Sequence, residues 1–374
     1  MMKLPLSLAA GLCLLAKPVG AQNAPASFAD LVEQLQPAVV NISTTHMPSD
    51  NEDVDDGLGI ISPNPQIQNY FAPHNPQQVS LGSGFVVDET GYIVTNHHVI
   101  DKAQEINVTL ADERQLAAEI VGSDVKTDLA LIRVKTAEKL PTVKLGNSDK
   151  IRAGDWIIAI GNPFGLGGSV TAGIISAKSR DIEAGAYDNF IQTDASINQG
   201  SSGGPMFNMN GEVIGINSAI YSTSGGSMGI GFATPINLAK FVIEQLKSKG
   251  KVDRGWLGIK IQDADNGIVV TSVAEDSPAK LADIEAGDVI ISLNEQKITD
   301  PKQFSRQIAE TSEGSKITLK TLRNQQPQIK NLVVKKMPDL PLVKPTTPPQ
   351  TNDDNNLLGM EMAELTPELI ERYQ

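Results

Sequence analysis

The chain contains a single cysteine, Cys13, and it lies near the very start. No intrachain disulfide is available, and no thiol stands in the body of the chain to act as a nucleophile. Histidines are equally scarce. The four present are His46, His74, His97 and His98, dispersed and without partner cysteines, which is poor spacing for zinc. No metal and no cofactor are expected. Aromatics make up only 4% of the residues against 32 glycines, which favours short aliphatic strands and tight turns. Basic residues number 31 against 44 acidic ones, a net charge of −13, so electrostatics give no support for nucleic-acid binding. The longest apolar stretch, Leu4 to Ala16, is short for a membrane span of about 20 residues.

That stretch has another reading. Met1-Met2-Lys3 is a short positive start, and Val19-Gly20-Ala21 is a small-x-small cleavage pattern. Residues 1–21 are therefore expected to be a secretory signal peptide cleaved near Ala21, which removes Cys13 and places the mature chain in a bacterial envelope compartment.

At 374 residues the chain is long enough for two or three domains. A helix is predicted over Phe28 to Gln36, stopped by Pro37, with a strand at Ala38 to Ile42. Residues 47–80 are acidic and proline-rich and read as a long surface loop, with Tyr70-Phe71 as its anchor. Two successive sets of about six short strands then run from Gly82 to Val134 and from Trp156 to Ala233, the pattern of two small packed barrels. A helix over Ile236 to Lys249, with Thr234 as cap, Pro235 in its first turn and Gly250 as its stop, ends the region 22–250. Residues 255–337 form a third unit of short strands and two helices, capped by Ser277 and Asp300. Residues 338–356 read as a proline-rich linker, and 357–374 as the opening of a further domain.

Three stretches carry chemistry. Gln199-Gly200-Ser201-Ser202-Gly203-Gly204-Pro205 stands between strands; alone it is equally a flexible turn. Thr95-Asn96-His97-His98-Val99 directly follows a strand, and only one of its two histidines can face a given cleft. Asp128 sits at the head of the apolar run Leu129-Ala130-Leu131-Ile132, where a carboxylate needs a hydrogen-bond partner and histidine is a good one. Asp124 and Asp194 are weaker candidates, Asp194 being better placed to tie a loop. A serine hydroxyl is a poor nucleophile without an adjacent base. Histidine, aspartate and serine in this chain order are those of chymotrypsin-like proteases, distinct from the order in α/β-hydrolases.

Taken together these stretches resemble the HtrA family of periplasmic serine proteases, the DegP/DegQ type. The Thr-Asn-x-His-Val motif stands at 95–99, the Asp-Leu-Ala-Leu stretch at 128–131, and Gly-Asn-Ser-Gly-Gly at 200–204 with Ser201 in place of asparagine. The resemblance implies an all-β chymotrypsin-like double β-barrel protease domain followed by a PDZ domain. It selects His98 as base, Asp128 as its orienting partner and Ser202 as nucleophile, with the Gly200 and Ser202 amides as oxyanion hole. Ile197 and Ile230 would line a shallow apolar pocket for small aliphatic residues, and Gly161 to Gly165 is also family-like. In the third unit, Trp256-Leu257-Gly258-Ile259 would receive a peptide C-terminus, the peptide lying along Ile259 and Ile261 and near Phe304 and Ile308. The implied partners are unfolded protein substrates, C-terminal peptides and further copies of the chain, as a homotrimer or larger oligomer. The 47–80 loop corresponds to the family's regulatory loop and 178–189 to its sensor loop. A chaperone-like binding protein with little proteolysis is the alternative reading.

Overall fold

A computed structural model describes residues 25–46, 59–61, 78–161, 168–185, 187–223, 225–264 and 267–338. The expectations for the leader, for Tyr70-Phe71 and His74, for 162–165, for nearly all of the linker and for the 357–374 tail lie outside the described residues. The chain divides into two compact units, 1–252 and 253–374.

The first unit opens with α1 (Ala29–Leu35), which passes at Gln36–Ala38 into a 3-10 turn carrying Pro37, so the chain tightens there before it extends. Then come β1 (Val39–His46), β2 (Gly59–Ile61), β3 (Gln78–Asp88), β4 (Tyr92–Thr95), the single helical turn α2 (His97–Ile100), β5 (Glu105–Thr109), β6 (Gln115–Asp124) and β7 (Leu129–Val134). Strands β1, β3, β4, β7, β6 and β5 close into a six-stranded antiparallel barrel in that order. Val40, Ile42, Ile93, Val108 and Ile132 fill its interior.

The second barrel is built from β9 (Trp156–Gly161), β10 (Ser169–Arg180), β11 (Phe190–Thr193), β12 (Pro205–Asn208), β13 (Glu212–Tyr221) and β14 (Gly231–Pro235). The pairing order β12-β9-β10-β11-β14-β13 is closed by β12 against β13. Two short strands run parallel to β13: β8 (Lys144–Leu145) beside Glu212-Val213, and β2 beside Ala219–Tyr221. The stretch expected to be one unbroken loop at 47–80 therefore holds β2 and the beginning of β3, because β13 leaves backbone groups available for a further strand.

One continuous apolar seam joins the barrels. Phe85, Val94 and Leu131 of the first meet Ile158, Phe207 and Ile216 of the second, together with Ile236, Ala239, Val242 and Leu246 of α3 (Ile236–Lys249). Helix α3 ends on Gly250 at φ 71°, as its sequence requires. Its start differs from expectation: Pro235 is the N-cap residue and makes no side-chain cap bond, while the Thr234 hydroxyl sits 3.0 Å from that of Ser218.

The second unit holds β15 (Gly255–Trp256), β16 (Ile259–Ala264), β17 (Gly267–Val273), α4 (Pro278–Leu281), β18 (Val289–Leu293), β19 (Gln296–Lys297), α5 (Pro301–Glu310), β20 (Lys316–Arg323), β21 (Gln326–Val333) and β22 (Lys335–Lys336). Its sheet runs β16-β17-β18-β20-β21, leaving β16 on an edge. Ser277 accepts from Lys280 N at 3.1 Å and Asp300 from Lys302 N at 2.8 Å, two side-chain caps worth about 1 kcal/mol each. Among the described residues no helix is long and apolar enough to cross a membrane.

Candidate active site

Strand β4 delivers Thr95 and Asn96 into the seam, where both are fully buried, and the chain turns at once into α2. His97 and His98 were expected to alternate as on a strand. They instead occupy a helical turn, so they diverge around its axis by about 100°.

Asp128 is positioned by a separate device. The 3-10 turn Val125–Thr127 is capped by Asp124, which accepts from Thr127 N at 3.2 Å. Asp128 closes that turn in the left-handed region, φ 52°. A non-glycine residue rarely holds that conformation unless its surroundings determine it, and here they do. The Asp128 carbonyl accepts from His97 N at 3.1 Å and Asn96 Nδ2 at 2.6 Å. Its carboxylate accepts from His98 N at 3.0 Å and lies 2.7 Å from His98 Nδ1. The carboxylate thus fixes the ring's orientation, and it places the proton on Nδ1, leaving Nε2 as the basic nitrogen.

The serine loop is pinned against this corner. Ser83 N donates to the Ser202 carbonyl at 2.8 Å, and the Ser83 hydroxyl donates to the Gly200 carbonyl at 2.6 Å. Gly203 N donates to the Asn217 carbonyl and Asn217 N to the Gly204 carbonyl, at 2.8 and 2.9 Å. Gly203 has φ 82°, and a Cβ there would collide with the Ser83 carbonyl oxygen and the Thr95 hydroxyl. The turn therefore lies in van der Waals contact with the residues that lead into His98, and only glycine fits. Ser202 is buried, as is Ser201, whose hydroxyl turns inward and accepts from Asn198 N at 3.4 Å. Gly200 has φ 85°, and the Ser201 amide is spent on the Asn198 carbonyl.

The hydrogen bonds join His98 to Asp128 directly and bring Ser202 and Gly200 to the same corner through their backbones. His97 Nε2 is 3.6 Å from Asp101 instead. Asp194 accepts from Ile174 N at 2.7 Å and ties β10 to the segment after β11, as expected of it. Ile197 is buried with Ala159 and Ile220, and it occupies the space a side chain at Gly231 would need, 2.8 Å from that position's ideal Cβ. Ile230 is half-buried.

In the second unit, Gly258 (φ 78°) passes so close to Ser277 that only glycine fits. The Leu257 and Gly258 carbonyls accept from Ala279 N and Ala274 N at 3.0 and 2.7 Å, which fixes the loop entering β16. Trp256, Ile259 and Ile261 are half-buried. Phe304 and Ile308 are buried in the core of this unit, so they support the α5 face from beneath and are not projected from it. Asp288 is buried there too and faces Arg323 through two hydrogen bonds of 2.7 and 2.9 Å. Burial pushes the Asp288 carboxyl up, but the Arg323 guanidinium and the Glu285 amide prevail and hold it below the usual value.

Three residues of the site carried no role in the sequence reading: Ser83, Asn96 and Ser218. A serine between two glycines, Gly82-Ser83-Gly84, was the available signal for the first, and the Thr95-Asn96 half of the histidine motif for the second. Ser218 left none.

Two closed barrels, a carboxylate-bound histidine and a serine in a glycine-rich turn beside it define the class: a chymotrypsin-like serine protease. Comparison with known proteins agrees. A trypsin-like peptidase domain matches residues 82–216 and a PDZ domain matches 255–334. A DegP-like periplasmic serine endoprotease of Marinomonas sp. is 40% identical over 373 residues, 93% of this chain and 78% of that protein. One from Rickettsia prowazekii is 46% identical over 80% of this chain and 64% of its own length. Among solved structures, the HtrA-type protease AlgW with a tripeptide superposes with a TM-score of 0.70 at 39% identity, covering 84% of this chain and 98% of that one. A serine endoprotease from Yersinia pestis gives 0.61 at 36%, covering 84% and 100%. The chain belongs to the HtrA family, in its DegP-like branch, and is a serine endopeptidase of unfolded and misfolded protein chains.

Proposed function

We propose that Ser202, His98 and Asp128 carry the peptide hydrolysis. Ser202 Oγ attacks the scissile carbonyl while His98 Nε2 takes its proton. Asp128 stabilises the imidazolium that forms, without itself being protonated. The oxyanion of the tetrahedral intermediate is received by the Gly200 and Ser202 amides, whose loss typically costs about 3 kcal/mol of barrier each. As the intermediate collapses, His98 returns the proton to the leaving amine and the acyl group stays on Ser202. Water, deprotonated by His98, then attacks the acyl-enzyme and frees the second product. The observation that carries this reading is the double grip of one carboxylate on both the main-chain amide and the ring of His98, at 3.0 and 2.7 Å.

The same reading extends outward. Ile197, set against Gly231, and Ile230 make a shallow apolar pocket for residues such as Val and Ala, where a lysine or arginine would be desolvated without a counter-charge. The edge strand β16 takes the C-terminus of a peptide as an added strand behind the Trp256 to Ile259 loop. The enzyme works in the periplasm after loss of a leader near Ala21, assembled as a trimer.

The test is digestion of an unfolded model protein by the chain and by its Ser202→Ala variant, with the new termini sequenced. Cleavage after Val and Ala that falls by about a million-fold in the variant is expected. Retained cleavage overturns the assignment of Ser202.

A further inference from the structure

Asn96 is fully buried, and its side chain is only half satisfied. Nδ2 donates to the Asp128 carbonyl at 2.6 Å and lies 3.2 Å from the Ser218 hydroxyl. Oδ1 has no hydrogen-bond partner. The amide cannot be turned over to repair this, because the Asp128 carbonyl accepts only and so requires the NH2 end. A buried polar atom left without a partner is unfavourable. Its retention calls for an explanation, and the bonds that its other end makes supply one.

Those bonds cross the seam between the barrels. Asn96 and Asp128 belong to the first barrel; Ser218 lies on β13 of the second. Ser218 Oγ donates to the Ile216 carbonyl at 3.0 Å, and the Thr234 hydroxyl sits 3.0 Å away from β14. With its single proton committed to Ile216, Ser218 accepts from Asn96. Asn217, the residue just before Ser218, holds the nucleophile turn through its backbone N and O. A short run of contacts therefore links the loop of Ser202, strand β13, Ser218, Asn96 and the carbonyl of Asp128. At its end stands a residue in the left-handed region, whose carboxylate aims the His98 ring.

We infer that Asn96 and Ser218 form a bridge between the two barrels that sets the position of Asp128 relative to the nucleophile loop. Asn96 touches neither substrate nor reacting atoms; it is a positioning residue, acting through Asp128. The inference rests on the proposed roles of His98, Asp128 and Ser202.

The experiment measures kcat and KM on a short peptide, over pH, for the full chain and for Asn96→Ala, Ser218→Ala, the double variant and Ser218→Thr. Asn96→Ala is expected to lower kcat by about 30-fold with KM nearly unchanged, the worth of a buried hydrogen bond of about 2 kcal/mol. A less firmly aimed carboxylate stabilises the His98 imidazolium less, so the acidic limb of the kcat/KM profile moves to lower pH. Ser218→Ala gives a smaller loss in the same direction. The double variant is no worse than Asn96→Ala, and Ser218→Thr, which keeps the hydroxyl, recovers what Ser218→Ala lost. Losses that multiply, or a fall in melting temperature with kcat and the pH limb unmoved, overturn the bridge. Should Asn96→Ala not fold, the contrast between Ser218→Ala and Ser218→Thr on the pH limb decides alone. Ser202→Ala, run alongside, separates the two levels: if it still cleaves, the catalytic assignment has failed and not the bridge.

Discussion

Asp128 and Asp288 are the same residue type put to opposite uses. Asp288 is buried in the second unit and matched to a guanidinium by two hydrogen bonds, with Glu285 N at 3.0 Å as a third partner. Asp128, in the first unit, keeps a third of its side chain exposed and is held by an imidazole and an amide, on a backbone in a disfavoured conformation. One carboxylate is arranged so that its removal is felt by the fold. The other is arranged so that its direction is felt by a neighbouring ring. Burial, charge matching and strain distinguish the two.

The sharpest way to break this contrast is to neutralise each in turn. Asp128→Asn is expected to reduce kcat by about 10⁴-fold while leaving the fold intact, because the amide favours the wrong imidazole tautomer. Peptide turnover beside a thermal melt would show it. Asp288→Asn should do the reverse, destabilising the second unit by about 2 kcal/mol, because it removes the buried carboxylate that faces Arg323 and leaves the guanidinium only the exposed Asp283 and Glu285. The chain has two tryptophans, Trp156 in the first unit and Trp256 in the second. Urea unfolding followed by Trp256 fluorescence in a Trp156→Phe background reads the second unit separately. Comparable stability losses from both substitutions would dissolve the distinction.

Acid sharpens it further. The folded state holds the Asp288 carboxyl below its unfolded value, so its contribution is complete above the unfolded value of about 4 and is lost as pH falls through the folded one. The urea midpoint reported by Trp256 should therefore drop as pH falls below about 4, and Asp288→Asn should flatten that drop. The smallest effect is expected from an exposed pair. Lys247, 2.6 Å from Asp88 and 4.6 Å above the Tyr92 ring, holds the Asp88 carboxyl well below the usual carboxylate range, helped by Thr90. Both partners meet water, so Lys247→Met should cost no more than about 1 kcal/mol, and less at high salt, in the same denaturation assay.

Local signals served the sequence reading well where structure is decided locally. The stop of α3 at Gly250, the caps Ser277 and Asp300, and the two sets of strands follow from periodicity, glycine and capping chemistry. The histidine, aspartate and serine stretches were legible because each sits in a distinctive short context. What escaped depends on partners far away in the chain. Nothing near Asp128 announces a left-handed backbone; it is stabilised by Asn96 and His97, some thirty residues earlier. The helical turn at His97 was hidden by the strand preceding it. β2 is a strand only because β13 offers it an edge, and the inward turn of Ser201 depends on Asn198 and the surrounding fold. Thr234 looked like a cap by composition, but Ser218 lies against its hydroxyl.

The Ser83 bonds to the serine loop have a consequence in time. Ser83 and Gly200 are 117 positions apart, and Asn96 and Ser218 are 122 apart. Contacts of such range form late, since the closure entropy of the intervening chain must be met before they contribute anything. The hairpins of each barrel need no such reach. On that ground the serine loop is expected to lock only after the hairpins of the two barrels have formed.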